Sequence, residues 1–159
     1  MSYTGYNKQW CERIYNELIR KKLTIPFRNP VDPVRDGAEN YFDIVQTPMD
    51  LSTIGKKMNS KQYKRIQEFI DDVNLMCDNA ILFNHQESLI GYMAADIKEW
   101  VAKQIQNKTN SPEEEWEKRL ENVINKLQKH ISKSPALHKN GVKSNENEKD
   151  EKSGGRNVK

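Results

Sequence analysis

The sequence predicts an all-α protein. In four separate segments, apolar residues recur at intervals of three and four positions, which is the spacing of one face of an α-helix. No segment alternates apolar and polar residues as a half-buried strand does. Residues 23–65, between the first two segments, contain prolines that exclude a regular helix from part of this stretch. We therefore expect helices joined by one long, irregular connection.

The first three periodic segments predict three long helices. The first covers residues 7–22 and carries a wide apolar stripe. The second starts near Arg65, which is a poor N-cap, and ends near Phe83 or Asn84. The third carries apolar residues on one face over residues 90–105.

A fourth helix is predicted after Ser111. Ser111 can cap it, Pro112 suits its first turn, and Glu114 completes a capping box. Its apolar positions are Trp116, Leu120, Val123, Ile124, Leu127 and Ile131. This spacing permits a short coiled-coil seam, but fewer than three heptads make a weak coil. We therefore expect the helix to pack on the rest of the protein, which we expect to be a monomer.

The long connection has features of a functional loop. Asp50 can cap a short helix that follows it. Loops of this length inside a compact domain are rare and usually functional. We expect the connection to fold back onto the helices, because it keeps these apolar residues: Phe27, Val31, Tyr41, Phe42, Ile44, Val45 and Met49.

Charge and composition exclude several classes of protein. The net charge is only +3, so gross basicity does not indicate a nucleic-acid binder. Cys11 and Cys77 lack the spacing of a zinc site or a disulfide framework, and we expect free, buried thiols. No apolar run is long enough for a membrane span. Residues 133–159 have too few apolar side chains for a core, and we expect this tail to be disordered.

Catalytic and phosphate-binding motifs are absent from the sequence. It contains no HExxH, GxSxG, GxGxxG or GxxxxGK[ST] pattern. His85, His130 and His138 lack a neighbouring nucleophile or metal-ligand spacing. We therefore expect no enzyme activity, no catalytic residue, no metal and no cofactor.

Two polar residues have ordinary structural interpretations when each is taken alone. Asn84 closes an apolar stretch at a helix end, where asparagine often forms a left-handed C-terminal cap. Tyr41 would be a core aromatic with its hydroxyl hydrogen-bonded.

Several spaced motifs, taken together, resemble those of a bromodomain. They are Ile25-Pro26-Phe27 with Val31-Asp32, Asn40-Tyr41-Phe42, Pro48-Met49-Asp50-Leu51, Glu68-Phe69 with Asp72-Val73, and Asn79-Ala80 with Phe83-Asn84. The resemblance covers about residues 7–107. It implies a left-handed four-helix bundle with helices Z, A, B and C, a long ZA loop and a short BC loop after Asn84. The helix after Ser111 is additional. We therefore expect a bromodomain over residues 1–110 and the additional helix over residues 111–132.

The resemblance also implies a function. Bromodomains bind N-acetyl-lysine without turning it over, so we expect a nuclear chromatin reader of acetylated histone tails or other acetylated proteins. Other chromatin proteins are possible further partners, and no membrane partner is expected. Asn84 would donate to the acetyl carbonyl, and Tyr41 would reach the same oxygen through water. The implied acetyl-lysine site comprises Asn84, Tyr41, Pro26, Phe27, Val31, Phe83 and Ile90.

The sequence departs from the family pattern at three places. Ile25 stands where a tryptophan shelf is usual, and Phe83 stands where tyrosine is common. The segment 36–39 reads Asp-Gly-Ala-Glu in place of a Leu-rich motif, so we expect a wider and more acidic mouth.

Two alternative functions remain open. The first is a degenerate bromodomain that serves only as a protein-interaction scaffold. The second is nucleic-acid binding through surface lysines, which the near-zero charge of the folded part disfavours as the main activity.

Overall fold

The structure is a computed structural model that describes residues 5–133 of the chain. No β-strand occurs within this range, so the all-α prediction is confirmed. The helices are α1 (Tyr6–Arg20), a 3₁₀ helix (Lys22–Phe27), α2 (Tyr41–Ile44), α3 (Leu51–Asn59), α4 (Ile66–Asn84), α5 (Leu89–Gln106) and α6 (Pro112–Lys133).

The chain divides into two compact units, Met1–Trp116 and Glu117–Lys159. The first unit contains α1, α3, α4 and α5, which are the Z, A, B and C helices of the expected four-helix bundle. The additional helix is present as α6, so the fold prediction is confirmed. The predicted domain limits at residues 110 and 132 and the packing of α6 stay predictions. Apart from Lys133, the tail expected to be disordered lies outside the described residues.

The bundle core takes side chains from all four helices. Fully buried members are Trp10, Ile14, Leu18, Leu51, Ile54, Phe69, Val73, Ile97 and Val101. Burying one such side chain contributes about 1.5–3 kcal/mol. Helix α4 buries residues over about half of its circumference, because it contacts α1, α2, α3 and α5. It is therefore the central element of the bundle.

Side chains hold the N-termini of α3, α4 and α6, and two predicted caps are confirmed. Asp50 Oδ1 accepts from the Thr53 N–H at 3.1 Å, and Ser111 Oγ accepts from the Glu114 N–H at 3.2 Å. At α4, the Glu68 carboxylate accepts from the Lys64 N–H at 2.6 Å. An acidic side chain inside the first turn therefore binds a backbone donor before the helix, where Arg65 offers no acceptor.

The long connection folds back only in part. Phe27, Tyr41 and Val45 are buried as expected, but Phe42 is 53% exposed and Ile44 39% exposed. The expectation is wrong for these two residues, because α2 is a single turn that buries only one of its sides. The prolines exclude an α-helix, yet Pro26 lies inside the six-residue 3₁₀ helix, next to its last residue.

Both cysteines are buried and neither forms a disulfide. Burial raises the pKa of the Cys11 and Cys77 thiols to about 12. Among residues 5–133, no helix is long and apolar enough to cross a membrane.

Candidate functional site

A cavity of about 410 Å³ opens between the long connection, the end of α4 and the start of α5. All seven residues of the predicted site line it: Pro26, Phe27, Val31, Tyr41, Phe83, Asn84 and Ile90. These residues come from segments up to 64 positions apart, counting from Pro26 to Ile90. The fold thus brings the predicted site residues together around one cavity.

Asn84 is the last residue of α4, and its side chain is oriented by the helix itself. Its Nδ2 donates a hydrogen bond to the Ala80 carbonyl at 3.1 Å. A primary amide has two N–H donors, so the second hydrogen remains chemically able to serve a ligand. Because Asn84 lines the cavity, that donor and the amide carbonyl are the candidate polar contacts of the site.

The residue with a positive φ at the end of α4 is His85, with φ of 66° and ψ of 153°. The interpretation of Asn84 as a left-handed cap is therefore wrong. Helical backbone continues through Asn84, and the chain changes direction one residue later. This order keeps the Asn84 side chain on a rigid helix, while the exposed His85 takes the unusual backbone angle.

Tyr41 is 4% exposed and packs in a small aromatic cluster. Its ring meets Phe83 edge-on, with centroids 5.1 Å apart and planes at 67°. Phe42 makes a similar edge contact at 5.4 Å. Burial raises the pKa of the Tyr41 phenol, and the nearby charge of Asp50 adds to the effect. Tyr41 therefore stays protonated at neutral pH and can donate a hydrogen bond.

The apolar wall includes residues that sequence reasoning did not assign to a site. Met49, Met76 and Ala80 line the cavity beside the predicted Phe27 and Ile90. Met76 and Ala80 belong to the apolar periodicity of α4, which also explains them as core residues. Only their position near the C-terminal end of α4 could have indicated a second role.

Ile25 lines the cavity while remaining 55% exposed. Where a tryptophan shelf is usual, this chain therefore has a small aliphatic side chain open to solvent.

The rim of the cavity carries a paired charge. Arg35 binds Asp36 through two hydrogen bonds, Nε to Oδ1 at 2.7 Å and Nη2 to Oδ2 at 2.8 Å. This contact and the Asp32 N–H lower the pKa of Asp36 to about 2. Arg35 offsets the charge of Asp36 at this point of the rim, and the acidic character of the whole mouth stays a prediction. Glu39, the other acidic residue of segment 36–39, does not line the cavity.

A second carboxylate in the cavity wall, that of Asp50, also has hydrogen-bond partners within the protein. Its oxygens accept from the hydroxyls of Ser52 and Thr53, both at 2.6 Å, and from the Thr53 N–H. Asp50 is 6% exposed and acts as the cap of α3. Its lone pairs are thus largely committed within the protein.

Several basic residues that could serve nucleic acid instead make contacts within the protein. Lys57 pairs with Asp72, Arg65 pairs with Glu68, and the Lys21 ammonium lies 4.4 Å from the centroid of Trp100. Within residues 5–133, no cluster of three or more His, Cys, Asp or Glu side chains could hold a metal ion. The cavity around Asn84 is therefore the strongest candidate site in the described part of the chain.

Comparison with known proteins gives a consistent result. A model of the bromodomain family matches residues 11–96. The SWR1 complex bromodomain subunit bdf1 of Schizosaccharomyces pombe is 43% identical over 98 residues, which cover 62% of this chain and 17% of that protein. Bromodomain-containing factor 2 of Saccharomyces cerevisiae is 39% identical over 92 residues, covering 56% and 14%. The chain therefore spans less than a fifth of the length of these curated relatives.

Proposed function

The chain belongs to the bromodomain family of non-catalytic acetyl-lysine reader modules, and we propose that its cavity binds N-acetyl-lysine on histone tails or other acetylated proteins. The observation that carries this proposal is the position of Asn84. Its side-chain amide is oriented by Ala80 and lines a cavity whose wall includes the apolar side chains of Phe27, Val31 and Ile90. Such a cavity with one oriented polar group suits a neutral ligand that has a single strong acceptor.

Each part of the acetylated side chain has a partner in this arrangement. The second N–H of Asn84 donates to the acetyl carbonyl, and the Tyr41 hydroxyl reaches the same oxygen through a water molecule. Phe27, Val31 and Ile90 contact the acetyl methyl and the lysine stem.

Selectivity against unmodified lysine follows from the cost of burying charge. An ammonium placed in an apolar slot costs several kcal/mol unless a counter-charge is available. Of the two carboxylates that line the cavity, Asp36 is paired with Arg35, and the oxygens of Asp50 accept hydrogen bonds from Ser52 and Thr53 at the start of α3. Acetylation removes the charge, so the modified side chain avoids this cost.

The affinity for one acetylated lysine is expected to be low. One or two hydrogen bonds contribute about 0.5–1.5 kcal/mol each, and the apolar contact is small. The dissociation constant should therefore lie roughly between micromolar and millimolar. Firm anchoring on chromatin then requires additional contacts by other modules or partners.

The names of the relatives support a chromatin setting for this activity. One matched relative is named as a subunit of the SWR1 complex, and others are named as bromodomain-containing factors. By analogy, this chain would act in the nucleus together with other chromatin proteins.

Peptide titration tests the proposal directly. Acetylated and unmodified histone-tail peptides are titrated against the wild type, Asn84→Ala and Asn84→Asp by calorimetry. Asn84→Asp keeps the side-chain size but replaces the donor with a carboxylate that repels the acetyl carbonyl. We expect Asn84→Ala to weaken binding of the acetylated peptide by about tenfold to a hundredfold, and Asn84→Asp by more.

Asn59→Ala is the matched control, because Asn59 is exposed at the end of α3 and does not line the cavity. It should bind the acetylated peptide like the wild type. Equal affinity for acetylated and unmodified peptides, or indifference to both Asn84 substitutions, contradicts the proposal. A folded wild type that binds no acetylated peptide supports the scaffold alternative.

A further inference from the structure

Helix α6 carries a continuous apolar stripe that is exposed to solvent. The exposed fractions of its large apolar side chains range from 42% at Leu120 to 64% at Trp116. The stripe comprises Trp116, Leu120, Val123, Ile124, Leu127 and Ile131. At 100° per residue, these six positions fall within an arc of about 100°. A stripe of this width is typical of a helix that buries one face against a partner.

The apolar positions are arranged symmetrically along α6. Trp116 and Ile131 are equally far from the midpoint between Val123 and Ile124, and so are Leu120 and Leu127. A second copy that runs antiparallel about this midpoint would place Trp116 opposite Ile131 and Leu120 opposite Leu127. Every apolar side chain of the stripe would then face another, as a twofold-symmetric interface requires.

The charges of α6 favour the same orientation. Residues 112–122 contain five acidic and two basic side chains, a net charge of −3, which falls to −2 when Glu115, already paired with Arg13 of α1, is left out. Residues 123–133 contain three basic and no acidic side chains, a net charge of +3 with histidine neutral. Antiparallel pairing places each acidic half beside the basic half of its partner, whereas parallel pairing places like charges together.

We propose that α6 pairs antiparallel with α6 of a second copy of this chain. The occupant of the stripe is a second copy because the helix is complementary to itself in both apolar positions and charge. This inference replaces two expectations, that α6 packs on the rest of the protein and that the protein is a monomer, because both considered only the strength of a heptad seam. An arc of about 100° is wider than such a seam, and 22 residues give a contact about 33 Å long.

The molar mass of the full chain in solution provides the first test. Light scattering after gel filtration, over a wide range of concentration, should show a species of twice 18.6 kDa. Leu127→Glu places a charge in the stripe of both copies, and we expect the dissociation constant to rise about a hundredfold or more. Leu127→Ala removes apolar contact but keeps a residue that favours the helix. It should therefore also raise the dissociation constant of the dimer.

Asn125→Glu is the matched control, because it adds the same charge two positions away on the opposite side of α6. It should leave the dimer intact. A wild type that is monomeric at every concentration overturns the proposal, as does a dimer that resists both Leu127 substitutions. Acetylated-peptide binding by the same samples is a separate measurement, so failure of the dimer does not affect the function proposed for the cavity.

Cross-linking tests the orientation. Leu120→Cys and Leu127→Cys chains are mixed and oxidised, and the disulfides are identified by mass spectrometry. The native thiols are buried and should not compete. An antiparallel pair predicts a disulfide between the two different variants. Efficient cross-linking of Leu120→Cys to itself would indicate parallel pairing and overturn the antiparallel model.

Discussion

The side-chain amide of Asn79 donates a 2.7 Å hydrogen bond to the backbone carbonyl of Thr47, 32 positions earlier. Asn79 is 7% exposed on α4, and Thr47 lies in the long connection two residues before Met49. Since Met49 lines the cavity, this bond fixes one wall of the site to the central helix.

Replacing Asn79 with alanine should therefore affect both stability and binding. Loss of the donor leaves the Thr47 carbonyl without its protein partner, and we expect a loss of about 1–3 kcal/mol in the free energy of unfolding. Binding of acetylated peptide should weaken because the wall at Met49 is released. Urea denaturation and peptide titration measure the two effects, with Asn59→Ala as an exposed control. Unchanged stability would show that the bond contributes nothing.

Gly91 is required by the close approach of α5 to the chain after Asn84. A Cβ at this position would lie 2.2 Å from the His85 carbonyl oxygen and 2.7 Å from that of Gln86. These are backbone atoms, so Gly91→Ala must displace the segment that joins Asn84 to Ile90. We expect a loss of about 1–3 kcal/mol in unfolding free energy and weaker binding of acetylated peptide.

Gly55→Ala provides the contrast for Gly91→Ala. A Cβ at Gly55 would meet the Tyr15 side chain, with its hydroxyl at 2.3 Å, between α1 and α3 and away from the cavity. Gly55→Ala should lower the free energy of unfolding without lowering the affinity for acetylated peptide. If both alanine variants bind acetylated peptide like the wild type, the segment after Asn84 is not held by this contact.

Apolar periodicity predicted the helices, whereas the resemblance to a family predicted which residues meet at the cavity. Helix periodicity reports burial, so α1, α4 and α5 could be placed from their apolar residues alone. Tyr41 and Asn84 have no periodicity that links them, and only the order of several motifs brought them together. The pairing of Arg35 with Asp36 could not be foreseen, because side-chain pairing in a loop depends on backbone angles that composition does not determine.

The ion pair between Arg35 and Asp36 predicts how charged residues next to the acetyl-lysine change the affinity of a peptide. In the wild type, Arg35 and Asp36 neutralise each other, so acidic and basic residues beside the acetyl-lysine should change affinity little. Asp36→Asn frees the Arg35 charge, and affinity for peptides with acidic flanks should rise by about two- to fivefold. Titration with paired acidic- and basic-flank peptides measures this. A strong flank preference in the wild type would contradict the neutral rim.

The pH dependence of the rim follows from the lowered pKa of Asp36. Because that pKa is about 2, the carboxylate stays ionised, and the pair is lost only as the pH falls toward 2. The flank preference of the wild type should therefore be constant from weakly acidic to neutral pH. A change over that interval would show that Asp36 titrates within it.

The two buried thiols predict both reactivity and alkaline stability. Burial raises the pKa of Cys11 and Cys77 from 9.0 to about 12, so the unfolded chain releases these protons at lower pH than the folded chain does. Their contribution to stability is complete below pH 9 and is lost as the pH rises toward 12. A thiol reagent at pH 8 should label neither cysteine before unfolding and both after it. Rapid labelling of the folded chain would contradict the burial of these groups.

The hydrogen bond from Asn84 to Ala80 also bears on how long a ligand stays. An amide that is already oriented needs no rearrangement on binding, so association should approach the usual range of about 10⁵–10⁷ M⁻¹s⁻¹. Combined with a dissociation constant of roughly micromolar to millimolar, this gives residence times of seconds at most and commonly milliseconds. A chain built in this way would sample many acetylated sites in quick succession, and its occupancy would follow the local density of the mark.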